Sequence, residues 1–359
     1  VADAVATAMA GPAGDPGRIH TEGMTARVAL EDARATIAAA LGARPREVVL
    51  TSGATEAVAA AAWGAAERGS HLVLSAVEHS CVRAAADMLV EAGTHTLTVV
   101  GVDRAGRVDA DEVLAAVGDH TALVALQWAN HEVGTRQPVA EVAAALGAHP
   151  ALLLVDAAAA VGHDPISFST SGIDLLAFSG HKLGGPPGTG GLCIRRGLRL
   201  RPLLRGGEQE RARRAGLENL PGARGLAAAM AGLADPDALT AADAVDRART
   251  ERVADVLGSI DGIERYGHRD DRVGHIVCLG FTDVEPQAVV LGLDRAGVAV
   301  HSGSACASEG LEPSPVLAAM GVDAHRSLRV SVGWNTTDDD IDAVVEHLPR
   351  VLAELRALR

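Results

Sequence analysis

Ser179-Gly180-His181-Lys182, followed by Leu183-Gly184-Gly185-Pro186-Pro187-Gly188-Thr189-Gly190-Gly191, decides how this chain is read. One lysine stands between an apolar, strand-like run (Leu175-Leu176-Ala177-Phe178) and a loop too rich in glycine to be helical. A lysine amine is a nucleophile only where its proton affinity is lowered, and its commonest covalent role is a Schiff base. Small flanking residues let a bulky group approach the backbone. The ordinary alternative is a surface-loop lysine, because lysines are mostly exposed. Four further segments bear on the choice.

Around that stretch, short apolar runs alternate with alanine-rich amphipathic ones. Strands are predicted at Glu47–Thr51, His71–Ser75, Thr96–Val100, Ala122–Gln127, Leu152–Val155, Leu175–Ser179 and Gly191–Ile194. Helices are predicted between them at Ala54–Ala66, Cys81–Ala92, Ala110–Val117 and Val139–Ala148. This rhythm implies an α/β fold, a mostly parallel central sheet with helices on both faces. Such sheets bind ligands at the carboxyl ends of their strands. After Pro236 the texture changes. A helix at Ala241–Leu257 leads to strands near His275–Phe281 and Ser327–Val332, with helices Gln287–Arg295 and Asp338–Leu358 beside them. This predicts a large domain over residues 1–236 and a smaller C-terminal α+β domain over 237–359. The heavily charged segment Glu208–Arg214 is expected to be a solvated connection.

At 359 residues and 48% hydrophobic, the chain is long enough for a large core and a second smaller one. Its formal net charge of −14 leaves no basic track, so direct nucleic-acid binding is not expected. No apolar run nears membrane-spanning length, so no membrane association is expected. The four cysteines (Cys81, Cys193, Cys278, Cys306) show no CxxC spacing and suggest neither a zinc ribbon nor a redox pair, and no metal site is expected. Cys193 and Cys278 lie in apolar runs and read as buried small hydrophobes. Reduced thiols are expected, in a cytoplasm. The chain opens at Val1 without a methionine, and no signal peptide is evident.

Each of the other segments has a bland reading beside a chemical one. Thr51-Ser52-Gly53-Ala54-Thr55-Glu56 joins a strand to a helix, where backbone N–H groups favour an anion. Equally, Thr51, Ser52 or Thr55 is an ordinary N-cap. No G-x-x-x-x-G-K-[ST] occurs, so this is not a nucleotide P-loop. Asp156, after Leu152-Leu153-Leu154-Val155, ends a strand too apolar to lie at an edge. A buried carboxylate there needs a cation, or else it caps a turn. His79, in Glu78-His79-Ser80, suits ring stacking or proton transfer, or is a satisfied structural histidine. Cys306, in His301-Ser302-Gly303-Ser304-Ala305-Cys306, sits in a loop of small polar residues, which argues for an accessible, reactive thiol. Arg329, inside the apolar Ser327-Leu328-Arg329-Val330-Ser331, suits bidentate binding of a carboxylate, or pairs with an acidic neighbour.

Taken in order, these segments resemble the cysteine desulfurases of the NifS/IscS group. That group belongs to the class V aminotransferase superfamily of fold type I pyridoxal-phosphate enzymes. Gly310-Leu311-Glu312-Pro313-Ser314 matches as well, and the likeness runs end to end. The resemblance implies that Lys182 holds pyridoxal 5′-phosphate covalently and later moves the substrate's α-proton. Asp156 would keep the ring nitrogen protonated, and His79 would stack on the ring. Ala54, Thr55, Ser179 and His181 would line the phosphate. Arg329 would hold the substrate carboxylate, with Asn130 beside the substrate. Cys306 would take sulfur from L-cysteine as a persulfide, leave L-alanine, and pass the sulfur to an acceptor protein. A homodimer is implied.

Some positions depart from the family pattern. His131 stands where a second asparagine is usual, Ala159 replaces a glutamine, and Leu217 replaces a threonine. Gly14-Asp15-Pro16 stands for Gly-Asn-Pro, and the usual opening strand is absent. Each lost donor costs on the order of 1 kcal/mol. His131 is expected to replace part of the missing set. The departures keep two alternatives open: another class V enzyme, such as a selenocysteine lyase or an aminotransferase, and an attenuated or scaffold homologue in a sulfur-transfer complex.

Overall fold

A computed structural model of the chain describes residues 1–11, 14–302 and 313–358. The large sheet is built from β1 (Val48–Thr51), β2 (His71–Ser75), β3 (Thr96–Val100), β4 (Thr121–Gln127), β5 (Leu152–Asp156), β6 (Leu175–Ser179) and β7 (Gly190–Ile194). Their order is β1-β7-β6-β5-β4-β2-β3. Only β7 runs against its neighbours; the pairs from β6 outward to β3 are parallel.

The central strands are apolar because helices cover both of their faces. In β5, Leu153 and Val155 enter one core with Ile37, Val124 and Phe178. Leu152 and Leu154 enter the other, with Val49, Leu72 and Leu123. That is the period-two alternation of a strand buried on both sides. Burying such a side chain contributes roughly 1.5–3 kcal/mol. Helix Ala54–Ala65 presents Ala57, Val58, Ala61, Ala62 and Ala65 to the sheet, small residues that permit close packing.

A second, antiparallel sheet holds β8 (Ile263–Tyr266), β9 (Ile276–Phe281), β10 (His301–Ser302) and β11 (Ser327–Ser331), in the order β10-β11-β9-β8. Helices Pro236–Gly258, Pro286–Asp294 and Asp338–Ala357 cover it, around a core that includes Val253, Val277, Leu279, Leu328 and Leu348. Between the two sheets lies a smaller apolar cluster, in which Val77 and Val133 meet Cys278, Leu317 and Met320. Cys193 and Cys278 are fully buried, as their surroundings in the sequence imply. Among the described residues, no helix is long and apolar enough to cross a membrane.

The charged segment Glu208–Arg214 is not the solvated connection expected from its composition. Glu210 is 5% exposed, and its carboxylate takes two hydrogen bonds from buried Arg34 at 2.6 and 2.7 Å. It also accepts the Leu50 N–H at 2.9 Å. Glu210, Arg211 and Ala212 all have positive φ, at 48°, 59° and 62°. Non-glycine residues rarely hold this left-handed conformation. Here the buried ion pair secures it.

Candidate active site

The sheet order places the sequence motifs together. β6, β5, β4 and β2 are successive parallel neighbours, so their carboxyl ends form one edge. Lys182 follows β6, Asp156 closes β5, Asn130 and His131 follow β4, and His79 follows β2. Lys182 lies exposed at this edge, and Asp156 is 7% exposed.

Asp156 Oδ1 accepts the Ala158 N–H at 3.0 Å. Burial raises the proton affinity of its carboxyl, while His79 and Lys182 act in the opposite sense. His79 caps helix Ser80–Glu91: its Nδ1 accepts the Cys81 N–H at 3.2 Å and lies 3.1 Å from Cys81 Sγ. A ring nitrogen that accepts an N–H carries no proton, so the neutral ring holds its proton on Nε2. Burial, and secondarily Lys182, lower the basicity of His79 against the pull of Asp156.

The turn after β1 differs from an ordinary cap. Helix Ala54–Ala65 starts at Gly53 with no side-chain cap. Thr51 Oγ1 instead donates to Gly53 O at 2.9 Å, and Thr55 is exposed in the first turn. The first N–H groups of this helix are therefore available to an anion. Ser179 and His181 converge on the same place. Ser179 Oγ lies 2.8 Å from His181 Nδ1, and a Cβ on Gly53 would stand 3.8 Å from Ser179 Oγ. A Cβ on Gly190 would lie 2.6 Å from both Gly53 Cα and Phe178 O, so only glycine lets β7 pass between the two elements. Ala54 is buried beneath this turn.

His131 stands edge-on to His79, with ring centroids 5.0 Å apart and planes at 69°. Its side chain is 12% exposed, and its Nδ1 is buried without a hydrogen-bond partner. Burial, with His79, Arg329 and Lys182 nearby, pushes its pKa down to about 3. Arg329, on β11, donates to His131 O at 2.8 Å and so ties the small sheet to this edge. Asn130 is fully buried. Its Oδ1 accepts the N–H groups of Glu132 and Val133, and its Nδ2 donates to Val77 O, which leaves one amide N–H.

Cys306 and Gly310-Leu311-Glu312 lie outside the described residues. Ala159 is half-buried and Leu217 is 64% exposed. Sequence reasoning missed three neighbours of the site. Cys81 meets the imidazole of His79. His301 lies opposite Arg329 in the β10–β11 register, with its Nδ1 buried and unpartnered. Glu78 accepts the Gln127 N–H, and burial, then Asp156, push its carboxyl well above the usual range. An acidic residue beside a motif histidine at a strand end was the available signal for Glu78. His301 opens the segment that carries Cys306 but was given no role of its own, and nothing local marked Cys81.

The open α/β sheet thus brings a lysine, a buried aspartate and a histidine to one carboxyl edge. The aminotransferase class-V family profile matches residues 2–344, and the chain belongs to this family. Within it, the similarity is to cysteine desulfurases. The chain is 40% identical over 351 residues to the cysteine desulfurase of Nostoc sp., covering 96% of this chain and 87% of that protein. It is 37% identical over 355 residues to cysteine desulfurase IscS of Methanosarcina thermophila, covering 96% and 86%. Among solved structures, a NifS-like protein superposes with a TM-score of 0.91 at 29% identity, covering 98% and 95% of the two chains. DndA from Streptomyces lividans superposes with a TM-score of 0.79 at 34% identity, covering 92% and 95%.

Proposed function

We propose that this protein is a cysteine desulfurase that moves sulfur from L-cysteine to the thiol of Cys306, releases L-alanine, and hands the sulfur to an acceptor protein. The observation that carries this reading is the convergence of Lys182, Asp156 and His79 on one edge of the sheet, in a chain similar throughout to cysteine desulfurases.

The residues present suit pyridoxal 5′-phosphate. Asp156 offers a buried carboxylate that accepts the Ala158 N–H at 3.0 Å and gains from a cation placed beside it, which fits a protonated ring nitrogen. The uncapped helix start with Thr55, Ser179 and His181 fits a phosphate. The buried, unpartnered Nδ1 of His131 supports its role as a replacement donor to the cofactor. The bound cofactor supplies an electron sink that loosens the bonds at the substrate's Cα.

The chain's own residues do the rest. Lys182 anchors the cofactor and moves the α-proton. His79 stacks on the ring and offers the Nε2 proton towards the substrate. Arg329 holds the substrate carboxylate, with Asn130 close by. The Cys306 thiolate bonds to the substrate sulfur as the Cβ–S bond breaks, giving a persulfide and alanine. Residues 1–236 form the cofactor-binding unit and 237–359 the unit carrying the cysteine loop; the separate core around Val277 and Leu348 supports that division. The enzyme works as a homodimer in a reducing cytoplasm.

The test is mass spectrometry of the protein after adding L-cysteine. The reading expects the mass of one added sulfur on Cys306, absent in Lys182→Ala, and alanine release that fails in Cys306→Ser. Transamination that survives Cys306→Ser points instead to an aminotransferase. Protein that cannot be loaded with pyridoxal phosphate points to a scaffold, the reading that Ala159 and exposed Leu217 favour.

A further inference from the structure

The turn that faces the proposed phosphate carries an electrostatic conflict. Its helix start attracts anions, yet Glu56 lies in the first helical turn. A carboxylate there opposes a dianionic ligand directly. The structure supplies a counter-charge from far along the chain. Arg214 Nε donates to Glu56 Oε1 at 2.9 Å, and Arg214 Nη2 reaches Oε2 at 3.4 Å. Both side chains are largely buried, at 26% and 13% exposure. Glu56 Oε2 in turn accepts the Ser52 N–H at 2.8 Å. The carboxylate is thus tied to the Ser52 N–H, with the Arg214 guanidinium against it.

Arg214 does not reach Glu56 by chance of a floppy surface chain. The segment that carries it is fastened at Glu210 to Arg34 and to the Leu50 N–H, next to the turn. Arg213 Nη1 donates to Arg46 O at 2.9 Å, ahead of β1. The left-handed residues Glu210, Arg211 and Ala212 bend the chain between these ties. A strained conformation persists only where its surroundings over-determine it. Here those surroundings aim one guanidinium at one carboxylate.

We propose that Arg214 is a positioning residue for the phosphate-binding turn: it cancels the charge of Glu56 and fixes that carboxylate on Ser52, leaving the N–H groups after Gly53 to hold a dianion. This rests on reading Ala54, Thr55, Ser179 and His181 as the phosphate site. Burial works against ionisation of Glu56, but the bonds from Arg214 and Ser52 outweigh it and keep the carboxyl below its ordinary range. The contribution is therefore to the phosphate end of the ligand and not to its ring.

The test compares pyridoxal phosphate with pyridoxal, which lacks the phosphate. Full-length protein is stripped of cofactor, and both ligands are titrated by absorbance. Arg214→Gln is expected to weaken pyridoxal phosphate at least tenfold while pyridoxal stays within twofold. Glu56→Gln with Arg214→Gln removes both charges and is expected to return pyridoxal phosphate to within threefold of the unmodified protein. Equal weakening of both ligands, no weakening of either, or a double variant no better than the single one overturns the proposal. The same titration of the unmodified protein examines the underlying reading separately. If that protein shows no preference for the phosphorylated ligand, the assignment of Ala54, Thr55, Ser179 and His181 to a phosphate fails first.

Discussion

His131→Asn should change how stability responds to acid. His131 is neutral in the folded chain because burial, then His79, Arg329 and Lys182, press its pKa down to about 3. In the unfolded chain an imidazole titrates near 6.5. Between these values the unfolded state binds the extra proton, so stability is full above pH 6.5 and falls as pH drops towards 3. By linkage the loss from this residue is about 1 kcal/mol at pH 5.5 and about 3 kcal/mol at pH 4.5. Asparagine does not titrate, so the variant should lose that much less over the same interval. His275 is also buried neutral and contributes in the same direction, so some acid sensitivity persists. Urea unfolding of the cofactor-free protein at pH 7.5, 5.5 and 4.5 measures the effect. The reasoning is refuted if wild type and variant keep a constant stability difference across that range.

Two further outcomes follow from ion pairs. Glu251 is bonded to Arg265 at 2.7 and 2.9 Å and to buried Arg272 at 2.6 Å. Although burial opposes ionisation, these bonds bring its pKa to about 2. A depressed carboxyl stabilises above its unfolded value and loses that contribution as pH falls from about 4.5 towards 2. Its 31% exposure and solvent screening reduce the effect to about 1 kcal/mol. Glu251→Gln should therefore melt below wild type at pH 7, with the gap narrowing below pH 4; a pH-independent gap contradicts this. Glu210→Ala strips buried Arg34 of its two shortest bonds, leaving it the Glu31 carboxylate and the Val48 carbonyl, which should cost about 3 kcal/mol in urea unfolding. Arg34→Leu with Glu210→Gln, whose amide oxygen can still accept the Leu50 N–H, should be more stable than Glu210→Ala, and a double variant as unstable as that single one would show that the pair's charge is not what matters.

Much of the fold was legible because its strands alternate between two apolar faces and its helices repeat on one. β2, β3 and β6 fall on their expected bounds. Most other elements shift by a residue or two; β1, for example, begins after a short turn at Pro45–Glu47. Helix Pro236–Gly258 starts five residues ahead of its expected first residue, Ala241, because Asp235 caps it. Helix Thr21–Ala40 was not foreseen, although Ala26, Leu30, Ala33 and Ile37 mark its buried face. Alanine blurs that stripe, being as common on the outer face. β10 has two residues, too few for any period to register.

The candidate site was legible where each motif directly follows a strand, because sheet order then brings the motifs together. It was not legible where distant partners decide the environment. Glu208–Arg214 looked solvated because charge was all that local composition offered. Arg34 lies 176 residues from Glu210, and only the fold reveals that the run is half anchor and half counter-charge.

That distinction between local and global charge also explains how an acidic protein accommodates anions. The chain carries a formal net charge of −14, which repels a phosphorylated ligand or an amino-acid carboxylate at long range. The cleft edge reverses this by position. His79, His131, His181, His275 and His301 are all held below ordinary imidazole basicity, with burial the leading cause for each. They therefore add proton acceptors without adding charge that would compete with Lys182 and Arg329. Lys182, in the turn after β6, and Arg329, on β11, supply positive charge at this edge, and the Arg329 bond to the His131 carbonyl ties the small sheet to it. An anion gains most from a few fixed donors in a partly dry site, since water is not there to screen them. Protonating any of those imidazoles would spread positive charge beyond the points where the ligand's own charges fall, and Asp156 would gain competitors for the one cation it is placed to hold.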